Sequence, residues 1–197
     1  MPKMLAPLFH RSLNKNRNQP LCQMQISYRQ TLMISKQTFV QNVRIPLFFL
    51  VIVLTDQITK TIAINNLSYG EEFFIIPHVN LYLIFNTGAA FSLMSDGFVW
   101  QRVILISLPI IAITFFSYII FFSREKSLIF KLAISLIAAG AFGNLIDRVF
   151  YGYVIDFIDI YWGDYHWPTF NVADSSITVG AGFIIYQEIK NIFRDKV

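Results

Sequence analysis

The feature that most constrains this chain is a set of four apolar stretches, each long enough to cross a membrane. They cover about 45–64, 98–122, 130–150 and 172–193. A helix needs about 20 mostly apolar residues to traverse the hydrocarbon core. In that solvent a backbone must satisfy its own hydrogen bonds, so each stretch is expected to be a helix. Only 14% of the 197 residues are charged against 55% hydrophobic, a balance that suits lipid better than water. The first stretch is too long, and too polar at its end, for a signal-peptide core, and no small-residue cleavage site follows it. The expected architecture is an all-α membrane protein of four transmembrane helices, without a second domain or an internal repeat.

Orientation follows from where the cations lie. Lys3, Arg11, Lys15, Arg17, Arg29, Lys36 and Arg44 all precede the first acidic residue, Asp56. Arg124, Lys126 and Lys131 mark the connection between the second and third stretches, and Lys190, Arg194 and Lys196 mark the C-terminal end. The connection 65–97 instead holds Glu71, Glu72 and Asp96 with no Lys or Arg, and the region after the third stretch holds Asp156, Asp159 and Asp164. Positive-inside bias places both termini in the cytoplasm and both acidic connections outside. The net charge of +4 is therefore a topology signal and gives no reason to expect a nucleic-acid partner.

Residues 1–43 are polar, basic and rich in Asn and Gln, and read as a mobile cytoplasmic tail ahead of a membrane domain at 44–197. Met33 is an alternative start, since the residues after it still supply a basic flank; the intact mass of the native protein decides this. The lone Cys22 excludes an intrachain disulfide and any multi-cysteine metal site. In 65–97, the run FFIIPHVNLYLIF is aromatic and β-branched around Pro77, and predicts a small extracytoplasmic β-sheet, or cradle, between helices one and two. Phe73, Phe74, Tyr82 and Phe85 would anchor it at the interface.

Ionisable groups inside a membrane are costly and need pairing or function. Asp56 and Lys60 are spaced i,i+4 and can pair on one face, either as a helix-stabilising pair or as part of a site. Ala138, Ala139, Gly140, Ala141 and Gly143 form a patch of small residues that lets another helix come close. Asn144 then shares a face with Asp147 and Arg148, a cluster that fits a buried structural clamp as well as a site. Asp156 lies among apolar and aromatic neighbours in VIDFID. Asp174 opens the fourth helix, where Asn171 and Asp174 also suit N-terminal capping.

Taken together, Asp156 and Asp174 carry more weight than either alone. Helix three leaves on the outer side and helix four re-enters there, so the two carboxylates share a depth. Two close carboxylates in a poor dielectric tend to share one proton, and that is what an aspartyl protease needs to activate water. Asp159 and Asp164 are expected in a more open interfacial loop. A serine–histidine pair has only His10, His78 and His166 to draw on, a serine–lysine pair only Lys60, and no HExxH, P-loop or GxGxxG pattern occurs. No metal or cofactor is expected. A proton- or ion-coupled transporter is the alternative, but interrupted helices and pseudo-symmetry are not found. A noncatalytic scaffold would leave the polar cluster without a purpose.

The segments DQITK (56–60), FNTGAAFS (85–92), GNLIDR (143–148), VIDFID (154–159) and FNVADSSI (170–177), in this order, resemble the lipoprotein signal peptidase (signal peptidase II) family. The resemblance covers the chain from the first helix onward; the long leader departs from it. It implies an aspartic endopeptidase of the bacterial inner membrane with Asp156 and Asp174 as catalytic dyad near the periplasmic face. Asp56, Asn86, Asn144 and Arg148 would surround the site, with Asp147 and Asn171 in support. The implied substrate is a diacylglyceryl-modified prolipoprotein cut just before its lipidated cysteine, with membrane lipid and a globomycin-type inhibitor as further partners. From the residues themselves, Asn86 is expected to donate to the substrate backbone, with Gly88 allowing close approach. Arg148 would either bind a substrate carbonyl or fix Asp147.

Overall fold

The computed structural model describes residues 43–88, 99–122 and 127–194. The expected tail, Cys22, Ala89–Ser92 of the second resembling segment, and the cations Arg124 and Lys126 lie outside them. Four long helices form. They are α1 (Val43–Asn66), α2 (Val99–Phe122), α3 (Leu128–Phe150) and α4 (Val172–Arg194). At 1.5 Å per residue each is about 35 Å long, enough to cross a hydrocarbon core of about 30 Å. By length and apolar composition α1, α2 and α3 qualify as membrane spans. α4 matches them in length but is more polar, so three of the four expected spans are seen by that measure.

Apart from α3, which is the most buried, the helices bury little and expose much apolar surface. Leu47, Leu50, Leu54, Ile58 and Ile62 of α1 are about half exposed, as are Phe183, Ile185, Ile189 and Ile192 of α4. That pattern suits lipid-facing surface. The buried stripe of α1 is Ile45, Val53, Asp56, Lys60 and Ala63, a helical spacing that turns its polar groups toward the protein. α3 packs against α4 through the expected small residues. A Cβ on Gly140 would collide with the Ala173 carbonyl, and one on Gly143 would stand 2.5 Å from Asp56 Oδ2. Glycine here therefore sets how closely α4 and α1 approach α3.

A four-stranded antiparallel sheet completes the fold, in the order β1 (Glu72–Ile76), β2 (Val79–Asn86), β3 (Val154–Trp162), β4 (Tyr165–His166). β1 and β2 form the predicted hairpin, turning at Pro77–His78 with His78 at φ 73°. The sheet is larger than expected, however. β3 and β4 come from the connection between α3 and α4, and β3 pairs with β2 over Val79–Asn86. VIDFIDIYW is rich in β-branched and aromatic residues, so the strand was legible, but pairing over such a separation was not. Leu83, Ile155 and Phe157 form with Ala63 a small core where the sheet meets the end of α1. Of the expected anchors, Phe73 and Phe74 are exposed, while Phe85 packs against Tyr69 and Tyr153.

Candidate active site

The site is built on an ionic cluster between α1 and α3. Lys60 Nζ lies 2.9 Å from Asp56 Oδ2 and 2.8 Å from Asp147 Oδ2, and all three side chains are almost fully buried. Lys60 also donates to Asn144 Oδ1 at 3.0 Å, and Gln57 Nε2 donates to Asp147 Oδ1 at 3.0 Å. Each carboxylate also accepts from a backbone amide further along the chain, Asp56 through its other oxygen and Asp147 through the same oxygen that meets Lys60. Asp147 Oδ2 accepts from Ile155 N at 3.2 Å, and Asp56 Oδ1 accepts from Ala173 N at 2.8 Å. Ile155 immediately precedes Asp156, and Ala173 immediately precedes Asp174. One ammonium thus holds two carboxylates, and each of these pins the residue before one candidate catalytic aspartate.

Asp156 and Asp174 are joined through Asn171. Asn171 Nδ2 donates to Asp156 Oδ1 at 2.7 Å, and the Asn171 backbone N donates to Asp174 Oδ2 at 3.2 Å. The Asp174 amide returns a bond to Asn171 Oδ1 at 2.9 Å. This reciprocal pair is a capping box that starts α4. The capping role foreseen for both residues is real, and it coexists with their place in the site. Asn144 Nδ2 donates to Asp174 Oδ1 at 2.8 Å, and Asn86 Nδ2 donates to Asp156 Oδ2 at 3.0 Å. Both aspartates open onto one cavity of about 300 Å³, which Asn86, Asn144 and Arg148 also line, with Trp167–Phe170 as one wall.

Burial, and secondarily the nearby Asp174 charge, push the Asp156 carboxyl up to about 6; the Asn86 and Asn171 donors and Lys60 oppose this. Such a shift, on a group lining a cavity, fits a carboxyl that holds a proton for catalysis. Among the described residues there is no cluster of His, Cys, Asp or Glu able to hold a metal ion.

Several residues behave differently from expectation. Asp147 is fixed by Lys60 and Gln57, whereas Arg148 faces the cavity. The Asn86 amide is spent on Asp156, and its carbonyl accepts from Gly88 N at 3.0 Å. Asp159 does not sit in an open loop: it is buried in β3, and His166 Nδ1 donates to its carboxylate at 2.9 Å. Gln57, between Asp56 and Lys60 in DQITK, joins the cluster although its uncharged side chain gives no sign of this in the sequence. The Asp56 to Lys60 pairing is as foreseen, whereas the Asn144 side chain bonds Lys60, Asn171 and Asp174 and not its helix neighbours Asp147 and Arg148.

Comparison with known proteins gives a consistent result. The family described as Signal peptidase (SPase) II matches residues 48–190. The lipoprotein signal peptidase of Cupriavidus taiwanensis is 43% identical over 145 residues, covering 74% of this chain and 82% of that protein. Its counterpart in Polynucleobacter necessarius is 41% identical over 144 residues, covering 73% and 88%. Among solved structures, a bacterial membrane enzyme determined by the in meso method at 2.3 Å resolution superposes with a TM-score of 0.67 at 36% identity. The match covers 76% of this chain and 89% of that one. A second, at 1.9 Å resolution, gives 0.65 at 37% identity, covering 75% and 93%.

Proposed function

We infer the reaction from a plain premise: the chain belongs to the signal peptidase II family, whose named relatives are lipoprotein signal peptidases. It is a membrane protease of lipoprotein processing. Our reading of its chemistry is that Asp156 and Asp174 form an aspartic dyad. The dyad hydrolyses a diacylglyceryl-modified prolipoprotein immediately before the lipidated cysteine. The observation that carries this reading is Asn171, a buried residue that bonds both of the carboxylates lining one cavity.

In the resting dyad the two carboxyls share one proton. The unprotonated member takes a proton from water as the water oxygen bonds to the scissile carbonyl carbon. The protonated member gives its proton to the carbonyl oxygen. Collapse of the tetrahedral intermediate breaks the C–N bond, with the first proton passing to the departing cysteine nitrogen and the second returning to the dyad. No covalent enzyme intermediate forms. Asn144 and Asn171 hold the carboxylates with neutral amides, so the site can keep its shared proton. Arg148, on the same cavity, is placed to bind a substrate carbonyl.

The same reading puts the enzyme in the inner membrane with four spans, both termini cytoplasmic and the dyad near the periplasmic face. What supports α4 as the fourth span is its length and its exposed apolar flank at Phe183, Ile185, Ile189 and Ile192. The lipid anchor explains a site at the outer surface, because it holds the scissile bond at that depth. A globomycin-type peptide is expected to occupy the dyad cavity.

The test is a gel-shift cleavage assay with purified protein, a diacylglyceryl-modified prolipoprotein and its unlipidated control. Wild type should cleave only the lipidated form, and folded Asp156→Asn and Asp174→Asn should cleave neither. Activity surviving in either variant means the dyad is misassigned.

A further inference from the structure

A second cleft, of about 540 Å³, begins at Asp156 and Asn86 and runs over the face of the sheet to Glu72 and His166. It shares the Trp167–Thr169 wall with the dyad cavity but leads away from the helices. Its described lining includes three carboxylates, Glu72, Asp156 and Asp159, and no Lys or Arg. The Asp159 carboxylate is engaged by His166. Glu72 is exposed on the edge strand, and its contact with Asn80 Nδ2 is a long 3.4 Å. It is the carboxylate in this cleft that is best placed to meet a passing chain.

A substrate lying across the dyad has two unlike halves. The signal helix is apolar and belongs between the membrane-spanning helices, beside residues such as Leu105 and Ile106 that line the cavity between α2 and α3. The chain beyond the lipidated cysteine is polar and must leave toward water. The cleft over the sheet is the polar route open to it from the dyad.

We propose that this cleft binds the substrate segment following the cleaved bond, and that Glu72 makes it favour basic over acidic side chains there. The proposal rests on the reading of the chain as a peptidase with Asp156 in its dyad. Strand register indicates which substrate position is read. Asp156 pairs with Ile84 in β2, and Tyr82, two residues along, pairs with Glu72 in β1. Two strand spacings of about 4.8 Å and an offset of two residues separate Asp156 from Glu72 by about 12 Å. An extended chain covers that in about three to four residues. The third and fourth residues after the cut are therefore the ones that meet Glu72.

The experiment compares lipidated prolipoproteins that differ only by Lys, Gln or Glu at those two positions, at low and high salt. Wild type should show kcat/KM about fivefold or more higher for Lys than for Glu, a gap that narrows as salt screens the charges. Glu72→Gln should flatten the preference and Glu72→Lys should reverse it. Equal rates for all three substrates in wild type, or the same preference in wild type and Glu72→Lys, overturns the proposal while leaving the dyad intact. Failure of folded wild type to cleave any of them overturns the underlying reading, and this one with it.

Discussion

Two pairs of aspartates in this protein are bridged by different residues, and the proposed function gives them different work. Asp56 and Asp147 are bridged by the ammonium of Lys60, while Asp156 and Asp174 are bridged by Asn171, its side-chain amide donating to the one and its backbone N–H to the other. In the first pair a positive charge compensates the carboxylates, and each also holds a backbone amide. In the second, the bonded partners are uncharged, and burial with the nearby Asp174 charge holds the Asp156 proton up to about pH 6, against the pull of the Asn86 and Asn171 donors. On the proposed reading, what separates a pair that holds from a pair that reacts is the residue placed between them, since an ion pair fixes the charge state that a dyad has to change.

The largest effect that tests this contrast is on the reacting side. Asp156→Asn or Asp174→Asn should lower kcat/KM by roughly a thousandfold or more, within the range for removal of an acid–base group. Thermal stability of the purified protein should barely move. A large fall in stability from either change would mean that this pair also holds the fold. Next, Lys60→Met leaves two buried carboxylates without their cation, and should cost about 3–5 kcal/mol. Thermal unfolding in detergent micelles checks this, and a variant as stable as wild type would break the comparison from the other side.

Asn171→Ala should strike both regions at once, since it removes the cap of α4 and the bridge between the dyad members. The expected cost is about 1–2 kcal/mol from the cap, together with a fall of roughly tenfold to a hundredfold in kcat. If only stability falls, Asn171 is a cap alone. The smallest effect is on pH dependence. Because burial and Asp174 raise the Asp156 carboxyl, its proton stays on below about pH 6 and is lost above. The kcat/KM profile of the free enzyme should therefore decline through that region. Asn86 donates to the carboxylate and so favours the charged form; Asn86→Ala should move the decline to higher pH. A shift to lower pH would contradict the contact.

Much of this was legible in the residues. Hydropathy and length located all four long helices, because lipid leaves the backbone no other economical conformation. The i,i+4 spacing announced the Asp56–Lys60 pair, and the small residues of α3 announced a close neighbour. The hairpin of β1 and β2 followed from β-branched and aromatic residues about Pro77. Contacts across long separations were not legible. Nothing local says that β3 lies beside β2, that Asp147 turns to Lys60 and away from its neighbour Arg148, or that Asp159 is buried. Those outcomes depend on which surfaces meet, and a spacing rule does not carry that information.

The anchoring of Ile155 by Asp147 and of Ala173 by Asp56 has a consequence for how the protein comes into being. The proposed dyad is set by bonds that reach from α1 to α4 and from α3 to β3, across as many as 117 positions of the chain. A molecule whose helices have entered the bilayer but not yet docked would have both aspartates and no aligned pair. Assembly would then act as the safety catch of this protease: a half-built copy has nothing with which to cut its neighbours.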